Sequence, residues 1–297
     1  MREPVFTGVC PAVITPFDSC GAVNYDAFKR QIERQIRAGV DAICVCGTTG
    51  EASTLSKDEH FSVIECCVKT VNHRVKVIAG AGSNCTSTAL ELSQQAEDAG
   101  ADALLLVTPY YNKTSQNGLI KHYEYIADRV SLPIILYNVP SRTGLSFSAE
   151  TYKILSAHPQ INGTKEASGN FSLVNQTRML CGDDLNIWSG NDDQIVPLMS
   201  LGAKGVISVA CNAAPELMHR ITHDCLNGDF TSAAKAQIES WDFISSLFCE
   251  VNPIPIKCAM NILGNDAGSL RLPLSEISDA NFNRLKTAMS NLGLITT

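Results

Sequence analysis

The sequence predicts an α/β fold in which eight parallel strands alternate with helices in a (β/α)8 TIM barrel, followed by a C-terminal helical extension. Three observations support this prediction: short apolar runs alternate with longer helical patterns, several strand runs are rich in Val, Ile and Leu, and a loop motif recurs. Apolar strands without polar alternation are typical of parallel sheets that are covered on both faces. Because such barrels run to about 250 residues as one unit, the 297-residue chain has room for an extension.

The elements follow one another along the chain. Strands are predicted at residues 9–14, 42–45, 75–79, 103–107, 134–137, 161–165, 186–189 and 205–209. Helical patterns lie between them at residues 25–37, 58–71, 86–99, 120–129, 149–157 and 173–180. After residue 209 only helices are predicted, at 215–226, 232–248, 256–263 and 281–292, the last capped by Ser278 or Asp279. We therefore predict a barrel over residues 1–226 that carries the functional site, and a helical domain over residues 227–297.

A weak internal repeat supports the alternation of strands and helices. Residues 38–43 (AGVDAI) and 99–104 (AGADAL) are near copies, and residues 201–206 (LGAKGV) form a looser third copy. Each copy places a glycine where a left-handed residue ends a helix, shortly before a strand. A doubly wound open sheet is the competing architecture. It requires a glycine-rich phosphate turn after its first strand, and residues 10–16 (CPAVITP) offer none.

Charge and hydropathy exclude several classes of function. The formal net charge is -7 and no run of basic residues occurs, which argues against a surface for nucleic acid or anionic membranes. No apolar stretch approaches the roughly 20 residues that span a bilayer. The N-terminus lacks the apolar region and cleavage site of a signal peptide. We therefore expect a cytosolic protein that binds neither nucleic acid nor membrane.

Twelve cysteines raise the question of disulfide bonds or a metal site. No pair has the CxxC spacing of zinc sites. His219 and His223 form an i, i+4 pair on a predicted helix and are the best candidates for metal ligands, but they lack a distant partner pair. Reduced cysteines that pack as small hydrophobic side chains are the better interpretation. We therefore expect no metal.

The predicted sixth strand ends in an unexpected lysine. Residues 161–170 read INGTKEASGN, so an apolar strand is followed by Lys165 and Glu166. A lysine at a strand end is most often solvated or protects a sheet edge. In a dry pocket, however, a lysine can lose its proton and attack a carbonyl carbon as an amine. Glu166 is expected on the opposite face of the strand. The residues at the other strand ends decide between the two interpretations.

Polar side chains follow the carboxyl ends of the other strands, which is the face where barrel enzymes carry their chemistry. The loop after the second strand reads GTTGEAS, and its two hydroxyls between glycines suit an anion. A tyrosine can shuttle protons beside an amine, and an arginine can bind a carboxylate with two hydrogen bonds. Because all these groups converge on one rim, we predict that Lys165 forms a Schiff base. The rim residues are Thr48, Thr49, Tyr110, Tyr111, Tyr137, Arg142, Gly190 and Ile207.

These motifs resemble the pyruvate-dependent class I aldolase family. The resemblance rests on GTTGEAS at 47–53, PYYNK at 109–113, YNVPSRTG at 137–144, GTKEASG at 163–169, SGNDD at 189–193 and NPIPIK at 252–257. It covers nearly the whole chain, in order and with compatible spacing. The resemblance implies a (β/α)8 barrel with a C-terminal helical domain, usually assembled as a homotetramer of two tight dimers.

The resemblance also implies an activity. Pyruvate would condense with L-aspartate 4-semialdehyde to 4-hydroxy-tetrahydrodipicolinate, in lysine and diaminopimelate biosynthesis, without a metal or redox cofactor. Lys165 would form the Schiff base with the keto carbon of pyruvate. Thr49 and the backbone at Gly190 and Ile207 would hold the pyruvate carboxylate. Arg142 would help to position the carboxylate of the semialdehyde.

The resemblance further implies a proton relay, because an enamine needs an acid and a base at one carbon. Tyr137 would donate and accept the proton, linked through Thr48 to Tyr111 of the partner subunit. Within the family, N-acetylneuraminate lyases and 2-keto-3-deoxy sugar-acid aldolases share the lysine and the tyrosine, but we expect them to lack the environment of Arg142. A barrel that binds a keto acid without turnover is a further alternative, which the complete set of polar residues disfavours.

In inhibited members of this family, lysine binds at the tight-dimer interface. Two of the matching positions here depart from the inhibited pattern: Lys57 stands where a histidine is usual, and Thr88 stands where a glutamate contacts the ligand's ammonium group. The first brings a like charge toward a cationic ligand, and the second removes a charge-assisted hydrogen bond. The sequence therefore predicts weak or no inhibition by lysine. The matching positions are Ala52, Ser53, Lys57, His60, Asn84, Thr88 and Tyr110.

Overall fold

The computed structural model describes residues 2–296, in which eight parallel strands form one sheet in the order β1-β8-β7-β6-β5-β4-β3-β2. A parallel bridge between Ala12 and Cys44 joins β1 to β2 and closes the sheet. The predicted (β/α)8 barrel is therefore confirmed. The strands are β1 Gly8–Pro11, β2 Ala42–Val45, β3 Lys76–Gly80, β4 Ala103–Val107, β5 Ile134–Asn138, β6 Ile161–Glu166, β7 Asn186–Ser189 and β8 Gly205–Ser208.

Helices follow each strand and continue beyond the barrel. Within the described residues, no helix is long and apolar enough to cross a membrane. The helices of the barrel are α1 Tyr25–Arg37, α2 Lys57–Val71, α3 Thr86–Asp98, α4 Gln116–Ala127, α5 Pro140–Thr143, α6 Ala149–Leu155, α7 Phe171–Cys181, α8 Ile195–Ser200 and α9 Pro215–Leu226. The C-terminal extension contains α10 Phe230–Glu239, α11 Trp241–Ser246, α12 Ile254–Ile262 and α13 Asp279–Asn291.

The main differences from the predicted helices are two short helices, a break in a long one and the cap of the last one. The sequence pattern predicts neither α5 nor α8, because helices of 4 and 6 residues are too short to show a period. The helix predicted over 232–248 is wrong, since α10 and α11 meet at Ser240, where ψ is 3°. Ser278 is the N-cap of α13, but its hydroxyl donates to Glu250 Oε1 at 2.7 Å instead of accepting from the helix. The division between residues 226 and 227 lies between α9 and α10 and stays a prediction.

The repeated motif ends helices as predicted. Gly39, Gly100 and Gly202 have φ values of 83°, 87° and 92°. Each of them directly follows the C-cap residue of its helix, α1, α3 or α8. These φ values are accessible to glycine at little cost, so each glycine turns the chain from its helix toward the next strand.

The aspartate of the motif has a second function that the sequence does not reveal. Asp41 Oδ2 accepts a hydrogen bond from the N–H of Val9 on β1 at 2.7 Å. In the second copy, Asp102 Oδ2 accepts from the N–H of Val77 on β3 at 2.9 Å. Each aspartate lies just before one strand and binds the backbone of the preceding strand. The motif therefore ties neighbouring strands together at the amino end of the barrel.

Strand side chains divide between two apolar clusters. The inner cluster fills the barrel, and the outer cluster packs the strands against the helices. A Cβ atom at Gly163 would lie 2.6 Å from the ring of Trp188, so glycine at this position makes room for the largest buried side chain in the barrel. Lys165 lies next to Trp188 in the strand register. The barrel interior below Lys165 is therefore filled by packed apolar side chains.

We expect Asp41→Ala to lower the free energy of unfolding by about 1–3 kcal/mol, because the buried N–H of Val9 would lose its acceptor. Asp41→Asn keeps a side-chain oxygen at the same place and should cost much less. Chemical denaturation at one protein concentration measures both values. Equal losses in the two variants would contradict this role of the oxygen.

Candidate active site

A cavity of about 790 Å³ opens at the carboxyl ends of the strands. It brings together residues from the ends of β2, β4, β5, β6, β7 and β8 with residues from the C-terminal extension. Most of the residues singled out from the sequence line it, although they are far apart along the chain. They are Thr48, Thr49, Tyr110, Tyr111, Tyr137, Arg142, Lys165 and Gly190.

Lys165 and Tyr137 occupy paired positions on the neighbouring strands β6 and β5. Lys165 Nζ lies 4.5 Å from the centroid of the Tyr137 ring. The two residues are 5% and 9% exposed, so the amine lies against an aromatic face and is largely shielded from solvent. A Cβ atom at Gly190 would lie 3.1 Å from Cγ and Cε of Lys165, so glycine on the next strand leaves room for the lysine side chain.

Glu166 faces away from the cavity, as the strand alternation predicts. Its carboxylate accepts hydrogen bonds from the N–H of Ser168 at 2.7 Å, from Asn138 Nδ2 at 3.0 Å and from the hydroxyl of Tyr152 at 3.3 Å. Burial raises the pKa of Glu166, and these donors oppose that shift. The network fixes the end of β6, and thereby the backbone that carries Lys165.

The two threonines of the GTTGEAS loop have different surroundings. Thr48 is exposed, whereas Thr49 is buried. Thr49 Oγ1 accepts a hydrogen bond from Asn252 Nδ2 at 3.0 Å. Because Asn252 is the donor in this contact, the O–H of Thr49 remains available to an anion in the cavity. Sequence reasoning missed this role of Asn252, although the residue opens the NPIPIK motif.

Asp192 is a second residue near the lysine that sequence reasoning missed. It is fully buried, and its Oδ2 accepts hydrogen bonds from the N–H groups of Val209 at 3.0 Å and Ala210 at 2.9 Å. Its Oδ1 has no hydrogen-bond partner among the residues that the structure describes. Burial raises the pKa of Asp192; the hydrogen bonds that it accepts, and to a smaller extent the nearby Lys165, oppose that shift. The SGNDD motif contained the signal, but only a structure places its carboxylate near Lys165.

Tyr111 combines an unusual backbone conformation with high exposure. Its φ is 68°, in the left-handed region where bulky residues are strained. Its side chain is 92% exposed. Within residues 2–296, no hydrogen bond connects the hydroxyls of Thr48, Tyr137 and Tyr111. The relay is therefore not closed within one chain and stays a prediction.

Of the residues predicted to bind carboxylates, some line the cavity and one does not. Thr49 and Gly190 line the cavity, whereas Ile207 is fully buried on β8 and Val209, two residues later, lines the cavity. Arg142 lies on α5 at the exposed mouth of the cavity. In the described part of the chain, its guanidinium has no ion pair or hydrogen bond. It is therefore a cation available to a ligand.

Most positions that match the family's lysine site line the same cavity. Asn84 does not line it, but its Nδ2 donates to the backbone oxygen of Tyr110 at 3.2 Å. Thr88, which stands where inhibited members of the family have a glutamate, is a half-buried residue on α3. The lining residues from this set are Ala52, Ser53, Lys57, His60, Thr88 and Tyr110.

Two polar groups at these positions have partners in their own chain, whereas His60 Nδ1 is buried without a hydrogen-bond partner among the described residues. Lys57 Nζ lies 2.5 Å from Glu91 Oε2, so the cation is paired. His60 Nε2 lies 2.8 Å from the backbone oxygen of Gly80. Burial lowers the pKa of His60, so the imidazole stays neutral at neutral pH. A ligand here would compete with these contacts.

The His219 and His223 pair does not form a metal centre with its neighbours. The two rings stack with centroids 3.9 Å apart, and His223 Nε2 lies 3.0 Å from Asp41 Oδ2. Among the described residues, no group of three or more histidine, cysteine or acidic side chains is arranged to hold a metal ion. All twelve cysteines are free thiols.

Comparison with known proteins gives consistent relationships over nearly the whole chain. The sequence model of the dihydrodipicolinate synthetase family matches residues 5–292. A 4-hydroxy-tetrahydrodipicolinate synthase of Acetivibrio thermocellus is 48% identical over 295 residues, which is 99% of this chain and 100% of the relative. The crystal structure of dihydrodipicolinate synthase from Aquifex aeolicus superposes with a TM-score of 0.95 at 42% identity, covering 97% of this chain and 99% of that one.

A further solved structure is similar to this chain over nearly its whole length. The DHDPS from Cyanidioschyzon merolae, solved with lysine bound, has a TM-score of 0.95 and 36% identity, and the match covers 99% of this chain and 100% of that one. The motifs, the barrel and these matches agree along the chain. This chain therefore belongs to the dihydrodipicolinate synthetase family.

Proposed function

We propose that the chain condenses pyruvate with L-aspartate 4-semialdehyde to 4-hydroxy-tetrahydrodipicolinate, a step of lysine and diaminopimelate biosynthesis. The observation that carries this proposal is the buried amine of Lys165 against the ring of Tyr137 at the mouth of the barrel. The relative from Acetivibrio thermocellus is named for this activity, and its identity over the full chain supports the proposal.

Pyruvate binds first in this mechanism. The hydroxyl of Thr49 donates to its carboxylate, and the backbone at Gly190 completes the carboxylate site. The neutral amine of Lys165 attacks the keto carbon, and one water leaves as the Schiff base forms. Tyr137, beside this amine, transfers the protons that this step and the next require. Loss of a proton from the methyl carbon then gives an enamine.

The semialdehyde binds second. Arg142, which is free at the mouth of the cavity, pairs with its carboxylate. The enamine carbon attacks the aldehyde carbon, and the aldehyde oxygen takes a proton and becomes a hydroxyl group. The amino group of the semialdehyde then attacks the Schiff-base carbon and expels Lys165 as the free amine. The net reaction joins the two substrates and releases one water, so it requires no redox cofactor.

The proton relay requires a second subunit. Tyr111 extends into solvent from a strained backbone, whereas Tyr137 is buried in the cavity. A tight dimer in which each Tyr111 enters the partner's cavity would connect Tyr137 through Thr48 to solvent. We propose that two such dimers form a homotetramer. The twelve free thiols fit a protein of the reducing cytosol.

Two other activities compete with this assignment. An N-acetylneuraminate lyase or a 2-keto-3-deoxy sugar-acid aldolase would use the same lysine and tyrosine. The unpaired guanidinium of Arg142 favours a second substrate with a carboxylate close to its aldehyde. The name of the relative supports the same choice. A barrel that only binds keto acids would not require a buried amine next to a tyrosine, as Lys165 and Tyr137 provide.

We expect Lys165→Ala and Lys165→Arg to abolish the adduct that borohydride traps with pyruvate, because neither variant supplies a neutral primary amine. Intact mass measurement detects the adduct. Lys204→Ala, which changes a lysine just before β8 at the opposite end of the barrel, is the control and should keep the full mass shift. An adduct on the Lys165 variants would place the Schiff base elsewhere.

Mixing inactive Tyr111→Phe chains with inactive Lys165→Ala chains should restore part of the activity. One site of a mixed dimer would then contain Lys165 from one chain and Tyr111 from the other, both unchanged. The coupled assay, run on mixed dimers verified by native mass spectrometry, measures the recovery. Verified mixed dimers without activity would show that each site is complete within one chain.

Lysine should inhibit the enzyme weakly or not at all. Thr88 replaces the glutamate that binds the ligand's ammonium group, a loss of roughly 1.5–3 kcal/mol or about 10- to 100-fold in affinity. Lys57 adds a cation, although Glu91 pairs with it. A lysine titration in the coupled assay measures the effect. Half-inhibition well below about 1 mM, which corresponds to roughly -4.1 kcal/mol, would contradict the prediction, and Thr88→Glu should strengthen inhibition.

A further inference from the structure

We propose that the C-terminal extension positions the pyruvate-binding loop through three residues, Glu51, Lys257 and Arg271, which we call the loop clamp. The loop comprises residues 47–53 and contains Thr49. This inference rests on the proposed function, because it assigns the clamp a positioning role in binding pyruvate. No residue of the clamp needs to touch the substrate.

Glu51 is held in an unusual backbone conformation. Its φ of 53° and ψ of 36° lie in the left-handed region, although it is not a glycine. Its N–H donates to the backbone oxygen of Thr48 at 3.1 Å, so its conformation determines the turn that carries both threonines. Strained residues of this kind persist only where their surroundings hold them. The contacts of the Glu51 side chain therefore hold the turn.

A buried ion pair provides the main contact. Lys257 Nζ on α12 lies 2.6 Å from Glu51 Oε1, and the two side chains are 2% and 0% exposed. Lys257 also donates to the backbone oxygen of Ser269 at 2.7 Å and lies 4.1 Å from the ring centroid of Phe17. The ammonium group thus has partners on several sides. Buried ion pairs add little net stability compared with apolar side chains, so the specific contribution of this pair is the position of Glu51.

Arg271 completes the clamp from the other side of the carboxylate. Its backbone N–H donates to Glu51 Oε2 at 3.1 Å. Its guanidinium binds both oxygens of Glu59 on α2, at 2.6 and 2.8 Å, and the backbone oxygen of Thr54 at 2.9 Å. This pairing lowers the pKa of Glu59 to about 2, so the contact is charged at neutral pH. Arg271 therefore joins the loop to the helix that follows it.

The extension also holds the side chain that meets the substrate. Asn252, which precedes α12, donates to Thr49 Oγ1. The clamp fixes the backbone of the loop, and Asn252 fixes the direction of the Thr49 hydroxyl. The carboxylate site for pyruvate is therefore assembled from the barrel and the extension together. Arg142, by contrast, lies on α5 and has no contact with the clamp.

The test compares pyruvate with the semialdehyde in the full-length Glu51→Gln/Lys257→Met variant. This variant removes both buried charges, so no unpaired charge is left in the interior. We expect the pyruvate concentration for half-maximal borohydride adduct, and the KM for pyruvate, to rise about tenfold. The KM for the semialdehyde should change less than about twofold, because Arg142 is independent of the clamp. Glu51→Gln alone should raise the pyruvate values about threefold.

A matched control is Glu250→Gln in the same extension. Glu250 accepts hydrogen bonds from Ser278 and Asn281 and has no contact with the loop. This variant should lower the Tm and leave both KM values unchanged. Unchanged pyruvate values in the double variant, or equal rises for both substrates, would overturn the positioning role. If the double variant does not fold, an unchanged pyruvate value in Glu51→Gln overturns it instead. Absence of any adduct in the unaltered enzyme would refute the proposed function itself.

Discussion

The register between β5 and β6 is the constraint on which the rest of the site depends. Tyr137 pairs with Lys165 in this register, so both side chains enter the barrel at the same level. Because strand side chains alternate, a shift of one residue would turn Lys165 toward the helices and bring Glu166 into the cavity. The buried contacts of Glu166 with Asn138 and Tyr152 oppose that shift. The contacts on the outward face of β6 thus keep the Lys165 side chain on the inward face of the strand.

The barrel alone does not provide the complete site. Asn252 and Lys257, both from the extension, determine where Thr49 presents its hydroxyl. Tyr111 lies at the cavity and is largely exposed, which leaves it accessible to the second subunit that we propose for the proton relay. In the mechanism that we propose, the strand register positions the amine, the extension positions the loop that binds the carboxylate, and a second subunit provides the proton relay. Substitutions far from the cavity can act on each of these three parts separately.

The sequence was sufficient for the parts of the fold and site that depend on local patterns. Strands β2, β4 and β7 have the predicted bounds, because apolar runs between turn residues define them. Lys165 and Tyr137 were found because parallel strands bring their carboxyl ends to one rim. Helices α5 and α8 were missed, since one or two turns show no period, and the break at Ser240 has no Gly or Pro to mark it.

Contacts between segments that are distant along the chain could not be predicted from the sequence. The hydrogen bond between Asn252 and Thr49 joins residues 203 positions apart, and no local pattern records such a pairing. The same holds for Asp192, whose carboxylate accepts a hydrogen bond from the backbone N–H of Val209 at the end of β8. The motifs marked these residues, but their roles became visible only once the barrel had closed.

A crystal structure of the enzyme soaked with pyruvate tests the central claim most directly. We predict continuous density from Lys165 Nζ to the keto carbon, with the carboxylate on the hydroxyl of Thr49 and beside Gly190, and with the Tyr137 hydroxyl near the new bond. Pyruvate bound without a covalent bond to Lys165, or with its carboxylate on Arg142 instead of Thr49, would contradict the account.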